Sequence, residues 1–333
     1  MHIQTHNDYI EKIKSTHDCT EMSEDSLWHF ERSLGIGGSD VGAILGVNKY
    51  KTPYQVWLEK TGRAEPEDLS DNERVHFGNV LEDTVAQEYS RRTGCKVQRR
   101  NKPFIHAEMP WLRANLDRVV VGEKKVLECK TAGAFAMADW GEAGTDEVPE
   151  SYLLQVTHYM YVLGWNKADL AVLVGGNEFR IYCFDLDEEL ADFIQQKLQS
   201  FWFDHVIADV PPEAQNNTDL ETFYKAEDGL STVAPPEIIE KFKRLRMIKD
   251  QIKALETEAY GPSVGGKPIG GLDFEIKNFM GKSTELLIDD EGKRMCSWKK
   301  QKFNHFDTAQ FKKYHPELAN QFIKPTEIRV FRA

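Results

Sequence analysis

Two rhythms of apolar positions run along this chain, and the places where one gives way to the other mark its elements. Residues 1–25 are mostly polar, with a short helix expected around Tyr9 to Ile13. Ser26 to Arg32 reads as a helical turn leading into Gly35-Ile36-Gly37-Gly38-Ser39-Asp40, where Ser39 or Asp40 can cap a helix from Val41 to Leu45. A Pro start and a Gly stop frame an amphipathic helix over 53–62, and the acidic stretch Arg63 to Asn72 is loop-like. From Arg74 to Thr93 the spacing is helical, with Val80, Leu81, Thr84, Val85 and Tyr89 as the expected buried side. The rhythm then shortens. Lys96 to Arg100 reads as a strand rich in cations. Leu116 to Val121 and Val126 to Lys130 read as a hairpin linked through Gly122-Glu123. A Gly/Ala-rich loop follows from Ala132 to Thr145, then a helix from Pro149 to Leu163. Ala168 to Val174 and Glu178 to Phe184 make a second hairpin turned by Gly175-Gly176-Asn177. A long amphipathic helix spans Asp187 to Ile207, and Pro211-Pro212 closes a first domain over 1–212.

Residues 213–236 are polar, end in Pro235-Pro236 and read as a linker to a C-terminal extension over 237–333. The extension opens with a helix from Glu237 to Tyr260. Ile238, Phe242, Leu245, Ile248, Ile252, Leu255 and Ala259 recur on it at spacings of three and four, a narrow seam suited to a helical arm or a partner helix. Packing of the seam on the chain's own first domain is an equal expectation. Gly265 to Gly271 reads as a flexible insert. Thr284 to Ile288 and Met295 to Trp298 are β-rich, and a last helix is expected near Thr308 to Tyr314. There is no internal repeat. The mixture of strands and helices makes the chain an α/β (α+β) protein.

Composition bounds these elements further. At 333 residues the chain exceeds one average domain, and 41% hydrophobic content with seven Trp allows a sizeable core. The net charge of −12 argues against a uniformly basic coat for nucleic acid, but the charge is uneven. Residues 1–239 carry 23 Lys and Arg against 41 Asp and Glu, a net −18, whereas 240–333 carry 19 against 13, a net +6. A local polyanion site and a merely solvated helix face account equally well for that surplus. The five cysteines are scattered with no CxxC pair, so neither a zinc knuckle nor an iron–sulfur cluster is suggested, and reduced thiols fit best. No apolar segment resembles a leader or a membrane span, so a cytoplasmic protein is expected.

The candidate chemistry lies in the first hairpin. Glu128 and Lys130 are two apart and share a strand face. If the hairpin closes at 122–123, Asp117 falls opposite or diagonal to Glu128. Two carboxylates and an ammonium would then share one face, where oxygen-only ligands suit Mg²⁺ or Mn²⁺. The plainer alternative is a solvated polar face. Glu82 flanks the buried stripe of its helix and either faces solvent or aims at a site. The Gly-rich turn is either a simple capped turn or a phosphate seat, with Arg32, seven positions before Ser39, as its charged half. Gln155 and Tyr159 lie at i and i+4 on one helix face.

Taken in order, Leu34-Gly35-Ile36-Gly37-Gly38-Ser39-Asp40, Phe77-Gly78-Asn79-Val80-Leu81-Glu82, Asn115-Leu116-Asp117, Leu127-Glu128-Cys129-Lys130-Thr131 and Gln155-Val156-Thr157-His158-Tyr159 resemble the motifs of the YqaJ-type viral recombinases. That family is related to the phage lambda exonuclease and belongs to the PD-(D/E)XK nuclease fold. The resemblance covers roughly residues 26–210, and Trp298-Lys299 with His315-Pro316-Glu317-Leu318 is similar to the tail of longer members. It implies a mixed central sheet flanked by helices. Mg²⁺, with Mn²⁺ able to substitute, would be held by Glu82, Asp117, Glu128 and the backbone carbonyl of Cys129. Lys130 and Gln155 would serve catalysis, and Arg32 and Ser39 would hold a DNA 5′-phosphate. It further implies 5′-to-3′ digestion of linear duplex DNA to leave 3′ overhangs for recombination. The expected setting is a homotrimer working beside a single-strand annealing protein, phage- or prophage-encoded in a bacterial cytoplasm. An endonuclease of the same fold and an idle DNA-binding scaffold are the competing readings. The chain departs from the family pattern at Leu116, in place of a Pro, and at Arg118, in place of a frequent Gly. Neither is expected to touch a ligand.

Overall fold

The computed structural model describes residues 2–15, 30–64, 69, 71–100, 102–224, 231–282, 284–302, 304–323 and 331. The turn expected at 26–32 therefore lies mostly outside the described residues, as does part of the acidic loop after Arg63. The chain divides into two compact units, Met1–Phe223 and Tyr224–Ala333.

The first unit is built on a five-stranded sheet in the order β1-β4-β5-β6-β7. Its strands are β1 (Val97–Arg99), β4 (Arg118–Val120), β5 (Lys125–Ala132), β6 (Lys167–Val174) and β7 (Glu178–Asp185). β5 and β6 are parallel and every other pair is antiparallel, so the sheet is mixed. The parallel pair needs a crossover, supplied by α5 (Glu150–Leu163). A separate ladder, β2 (Phe104–Ile105) with β3 (Arg113–Ala114), leads into β4.

Both faces of the sheet are covered. Leu154, Val156 and Met160 of α5 join Val126, Leu170, Val172 and Phe184 in the main core, together with Ile194 and Leu198 of α6 (Glu188–Ser200). On the other face α4 (Glu73–Thr93) lays Val85, Ala86 and Tyr89 on Leu127, Cys129 and Ala171. Tyr89 Oη donates to Asp169 Oδ2 at 2.6 Å, and Lys125 Nζ lies 2.6 Å from the same oxygen, which ties α4 to the sheet. Only the second half of α4 is covered. Val80, expected inside, is 54% exposed, and Thr84 is also exposed, because helical spacing fixes a face but not how far the neighbouring sheet extends beneath it.

α2 (Gly38–Ile44) packs on α5 through two glycines four apart. A Cβ on Gly38 would sit 2.4 Å from Tyr159 Cε1, and one on Gly42 would sit 3.3 Å from Ser151 Cβ. The N-cap of α2 is Gly37, not Ser39 or Asp40: both lie within its first turn, and Asp40 Oδ2 accepts the Gly37 N–H at 3.0 Å. The Gly-rich turn is pinned to the chain before β3, since Ile36 N donates to Trp111 O at 2.7 Å and Arg113 N to Ile36 O at 2.9 Å. α3 (Pro53–Lys60) starts at a Thr52 cap. At the N-terminus α1 (His2–Ser15) is longer than expected. The helix read as Asp187 to Ile207 instead breaks after Ser200 into a π-helical turn over Phe201–Ile207, which buries Phe201, Trp202 and Val206. α7 (Asn217–Phe223) lies inside the stretch read as linker yet belongs to the first unit. Buried Asp219 accepts from Thr52 Oγ1 at 3.0 Å, and the Phe223 ring meets Tyr54 at 5.4 Å.

The second unit holds α8 (Pro236–Tyr260), whose described residues include none that is buried. Along the expected seam Ile238, Ile252 and Leu255 are 46%, 49% and 64% exposed. The insert expected to be flexible forms a small hairpin, β8 (Ser263–Val264) with β9 (Lys267–Pro268). α9 (Leu272–Met280), unforeseen in the sequence, follows it, then β10 (Leu286–Ile288) paired with β11 (Arg294–Ser297), α10 (Thr308–Tyr314) and α11 (Pro316–Gln321). Among the described residues no helix is long and apolar enough to cross a membrane.

Candidate active site

The register of β4 on β5 decides which side chains meet. Arg118 pairs with Leu127 and Val119 with Val126, so the next position along sets Asp117 across from Glu128. Side chains directly opposite share a face, and alternation turns consecutive residues to opposite faces. Asp117, Glu128 and Lys130 accordingly gather on the α5 face, and Arg118 turns to the α4 face.

Glu128 is 2% exposed. Its Oε1 accepts from Gln155 Nε2 at 2.7 Å and lies 2.6 Å from Lys130 Nζ. Its buried Oε2 has no hydrogen-bond partner among the described residues. Asp117 Oδ2 accepts the Cys129 N–H at 2.9 Å. Burial and the Glu128 charge push the Asp117 carboxyl up to about 8, against the pull of Lys130 and of that N–H. Burial opposes the charge on Lys130, but Glu128 and Asp117 overcome it and hold the ammonium above its ordinary range. Its Nζ also lies 5.1 Å from the centre of the Tyr152 ring. Gln155 Nε2 bonds Tyr159 Oη as well, at 2.8 Å, so α5 fixes the carboxylate through one amide. The Cys129 side chain packs on the α4 face, leaving only its backbone on the strand edge toward this site.

Glu82 is placed differently. It belongs to α4, and its Oε1 is bonded by Arg118 Nη1, with Arg99 Nη2 3.6 Å away. Arg118 Nη2 bonds Asp83 Oδ1, and its Nη1 also donates to Asp117 O at 2.6 Å. The expectation that Arg118 touches no ligand is thus corrected: strand alternation aims it at the carboxylates of the helix on that face. The gathering of Glu82, Asp117 and Glu128 is not seen as such, and among the described residues no three His, Cys, Asp or Glu side chains are grouped closely enough to hold a metal ion. Even so, the oxygen-only donors, with a buried Glu128 oxygen unpartnered among the described residues beside a carboxyl raised by burial and by its neighbour's charge, fit a hard divalent cation.

These side chains floor a cleft of about 610 Å³ whose wall carries Arg32, Ser39, Arg99, Arg100, Lys102 and Arg113. Arg32 Nη2 donates to Ser39 Oγ at 2.8 Å, so the two residues read as a phosphate seat do meet at the cleft. A buried ion pair supports them. Asp40, 3% exposed, lies 2.7 Å from Lys60 Nζ, which also donates to the Arg32 carbonyl at 2.9 Å. Burial would raise the Asp40 carboxyl, but Lys60, Lys51 and Arg32 hold it well below the usual range. Sequence reasoning missed this pair because Asp40 read as a cap and Lys60 as an ordinary helix end. It also left Tyr159 and Arg113 out of the site. Tyr159 was legible from its helical spacing to Gln155, whereas Arg113 carried no local signal.

Residues 27–166 match the YqaJ-like viral recombinase domain. The chain is 37% identical over 319 residues to protein YqaJ of Bacillus subtilis (strain 168), covering 94% of each. It is 25% identical over 177 residues to a protein of Acanthamoeba polyphaga mimivirus, covering 50% of this chain and 32% of the viral one. Among solved structures it is similar to LHK-Exo, an alkaline exonuclease from Laribacter hongkongensis, with TM-score 0.46, 16% identity and coverage of 55% of this chain and 93% of that one. A phage-related exonuclease from Haemophilus somnus gives TM-score 0.42 at 15% identity, over 55% of this chain and 99% of that one. With a relative this similar along nearly its whole length, and the domain itself spanning the cleft, the chain belongs to the YqaJ-like viral recombinase family.

Proposed function

We propose that this protein is a divalent-metal-dependent exonuclease that digests one strand of linear duplex DNA from the 5′ end and leaves a 3′ single-stranded overhang for recombination by strand annealing. The observation that carries this reading is the pair Asp117 and Glu128, with a buried Glu128 oxygen that has no partner among the described residues and Lys130 beside it, at the floor of a cation-walled cleft. Asp117, Glu128, Glu82 and the Cys129 backbone carbonyl would hold Mg²⁺ or Mn²⁺. When bound, the cation supplies an activated water at neutral pH and stabilises charge on the scissile phosphate.

The chain's own residues do the rest. Lys130 stays protonated between two carboxylates and therefore acts as a donor, to the attacking water or to the phosphate oxygen that gains charge. Gln155, anchored to Tyr159, fixes Glu128 through Oε1 and leaves Oε2 without a partner among the described residues. Arg32 and Ser39 receive the terminal 5′-phosphate: a forked guanidinium and a hydroxyl match an end that has more charge and more acceptor oxygens than an internal diester. A single-strand annealing protein is the proposed partner for the exposed 3′ strand, in the cytoplasm of a bacterial host.

The test is digestion of linear duplex DNA labelled at either end, with 5′-phosphate or 5′-hydroxyl termini, with and without Mg²⁺. The expected result is Mg²⁺-dependent loss of the 5′ label first, faster on phosphorylated ends. Each charge-assisted bond in the seat contributes roughly 1.5–3 kcal/mol, so Arg32→Ala should remove most of that preference, about one to two decades. Cleavage of closed circular duplex would favour an endonuclease, and absence of divalent-cation binding would favour an idle scaffold.

A further inference from the structure

Arg118 stands where the family pattern often has a Gly, and nothing in the proposed reaction requires it. Its side chain is 4% exposed, so water does little to screen its charge. Its guanidinium bonds Glu82 with one nitrogen and Asp83 with the other. These two carboxylates differ. The Glu82 side chain is 18% exposed and faces the cleft, whereas Asp83 is 69% exposed and lies outside it. Among the described residues two other cations pair with these carboxylates, and neither fills the same role. Lys130 is paired with Glu128 at 2.6 Å, and Arg99, 3.6 Å from Glu82, is 62% exposed and screened by solvent.

We infer that Arg118 is the resident counter-charge of the catalytic centre: it competes with the divalent cation for the Glu82 carboxylate, and Asp83 receives the guanidinium when the cation takes Glu82. The inference rests on the metal-dependent reading above. Of the centre's carboxylates, Glu128 is met by Lys130 and Glu82 by Arg118. A cation entering the site must displace Arg118 from Glu82, so the two are linked with negative coupling. Arg118 is in these terms a positioning residue. It keeps three acidic groups together before the cation arrives and sets how tightly the cation is then held.

The experiment titrates the full-length protein with Mn²⁺ alone, without DNA, by calorimetry, with far-UV circular dichroism as the fold control. Arg118→Met should bind Mn²⁺ about tenfold more tightly than wild type, the order expected for deleting one nearby buried like charge. Its thermal midpoint should be lower without metal and should rise more than the wild type's on adding Mn²⁺. Asp83→Asn, on an exposed position that does not threaten folding, should weaken Mn²⁺ binding several-fold, because Glu82 is then the one carboxylate left to the Arg118 guanidinium among those it bonds here. In the double variant the Asp83 effect should vanish, as a shared partner requires. An unchanged or weaker Mn²⁺ affinity in folded Arg118→Met overturns the inference, as does an Asp83 effect that persists without Arg118. If Arg118→Met does not fold, unchanged affinity in Asp83→Asn overturns it. A wild type that binds no Mn²⁺ removes the metal-dependent reading itself, whereas a wild type that binds normally with no response to any variant removes only this inference.

Discussion

Asp117 and Arg118 are neighbours in sequence and act on opposite faces of the sheet. One is a carboxyl raised to about 8 by burial and by Glu128, the other a guanidinium held over Glu82 and Asp83. The raised carboxyl has a consequence for stability. The folded protein keeps a proton that the unfolded chain, with an ordinary carboxyl of 3.8, has already released. This group's stabilising contribution is therefore full below the unfolded value and is lost as pH rises through about 8. In chelator, the thermal midpoint of the wild type should fall between roughly pH 5 and 8 relative to Asp117→Asn, and saturating Mg²⁺ at the upper end should narrow the gap, since a cation takes the place of the proton. Parallel pH profiles for the two proteins would refute the shifted carboxyl.

At the scale of elements, the site depends on how closely α2 approaches α5. Gly38 leaves room for the Tyr159 ring, Tyr159 holds Gln155, and Gln155 holds Glu128. A methyl at Gly38 would lie 2.4 Å from a ring carbon, so the ring or the helix must move. Overpacking of this kind costs roughly 1–3 kcal/mol. Gly38→Ala should lower the thermal midpoint and also slow DNA digestion by about tenfold or more through displaced Glu128, an effect of misplacement rather than of lost chemistry. Gly42→Ala, whose Cβ would meet Ser151 at 3.3 Å, should cost less of both. Equal digestion rates in Gly38→Ala and wild type would show that Tyr159 does not carry the helix position to Glu128.

For the whole molecule, the proposed assembly is a homotrimer. α8 presents Ile238, Phe242, Ile248, Ile252 and Leu255 at helical spacing, each at least 37% exposed, and an apolar stripe of this length is a common mark of an interface. Light scattering at micromolar concentration should give three times the chain mass, and Ile252→Glu with Leu255→Glu should return a monomer. A wild-type monomer would count against the assembly. Enclosure by a ring would also suit a chain of net charge −12, since topological retention on DNA does not require a basic coat.

The sequence by itself determined the local elements and the meeting of Asp117 with Glu128 and Lys130, because both rest on short-range rules. Strand alternation, a Gly-containing turn and a hairpin register act over a dozen residues and leave little freedom. The helices from Arg74 to Thr93 and from Pro149 to Leu163, and the second hairpin, were legible for the same reason. What only the tertiary structure decided are contacts between residues distant in the chain. Lys60 reaches Asp40 and the Arg32 carbonyl from another helix, and Arg118 on β4 reaches Glu82 on the helix α4. Exposure of Val80 was likewise beyond the sequence, since it depends on where the sheet beneath α4 ends. A single chain's pattern tells which way a side chain points along its own strand or helix. It does not tell what the fold brings to that side, and here that choice places a guanidinium, and not open solvent, over Glu82.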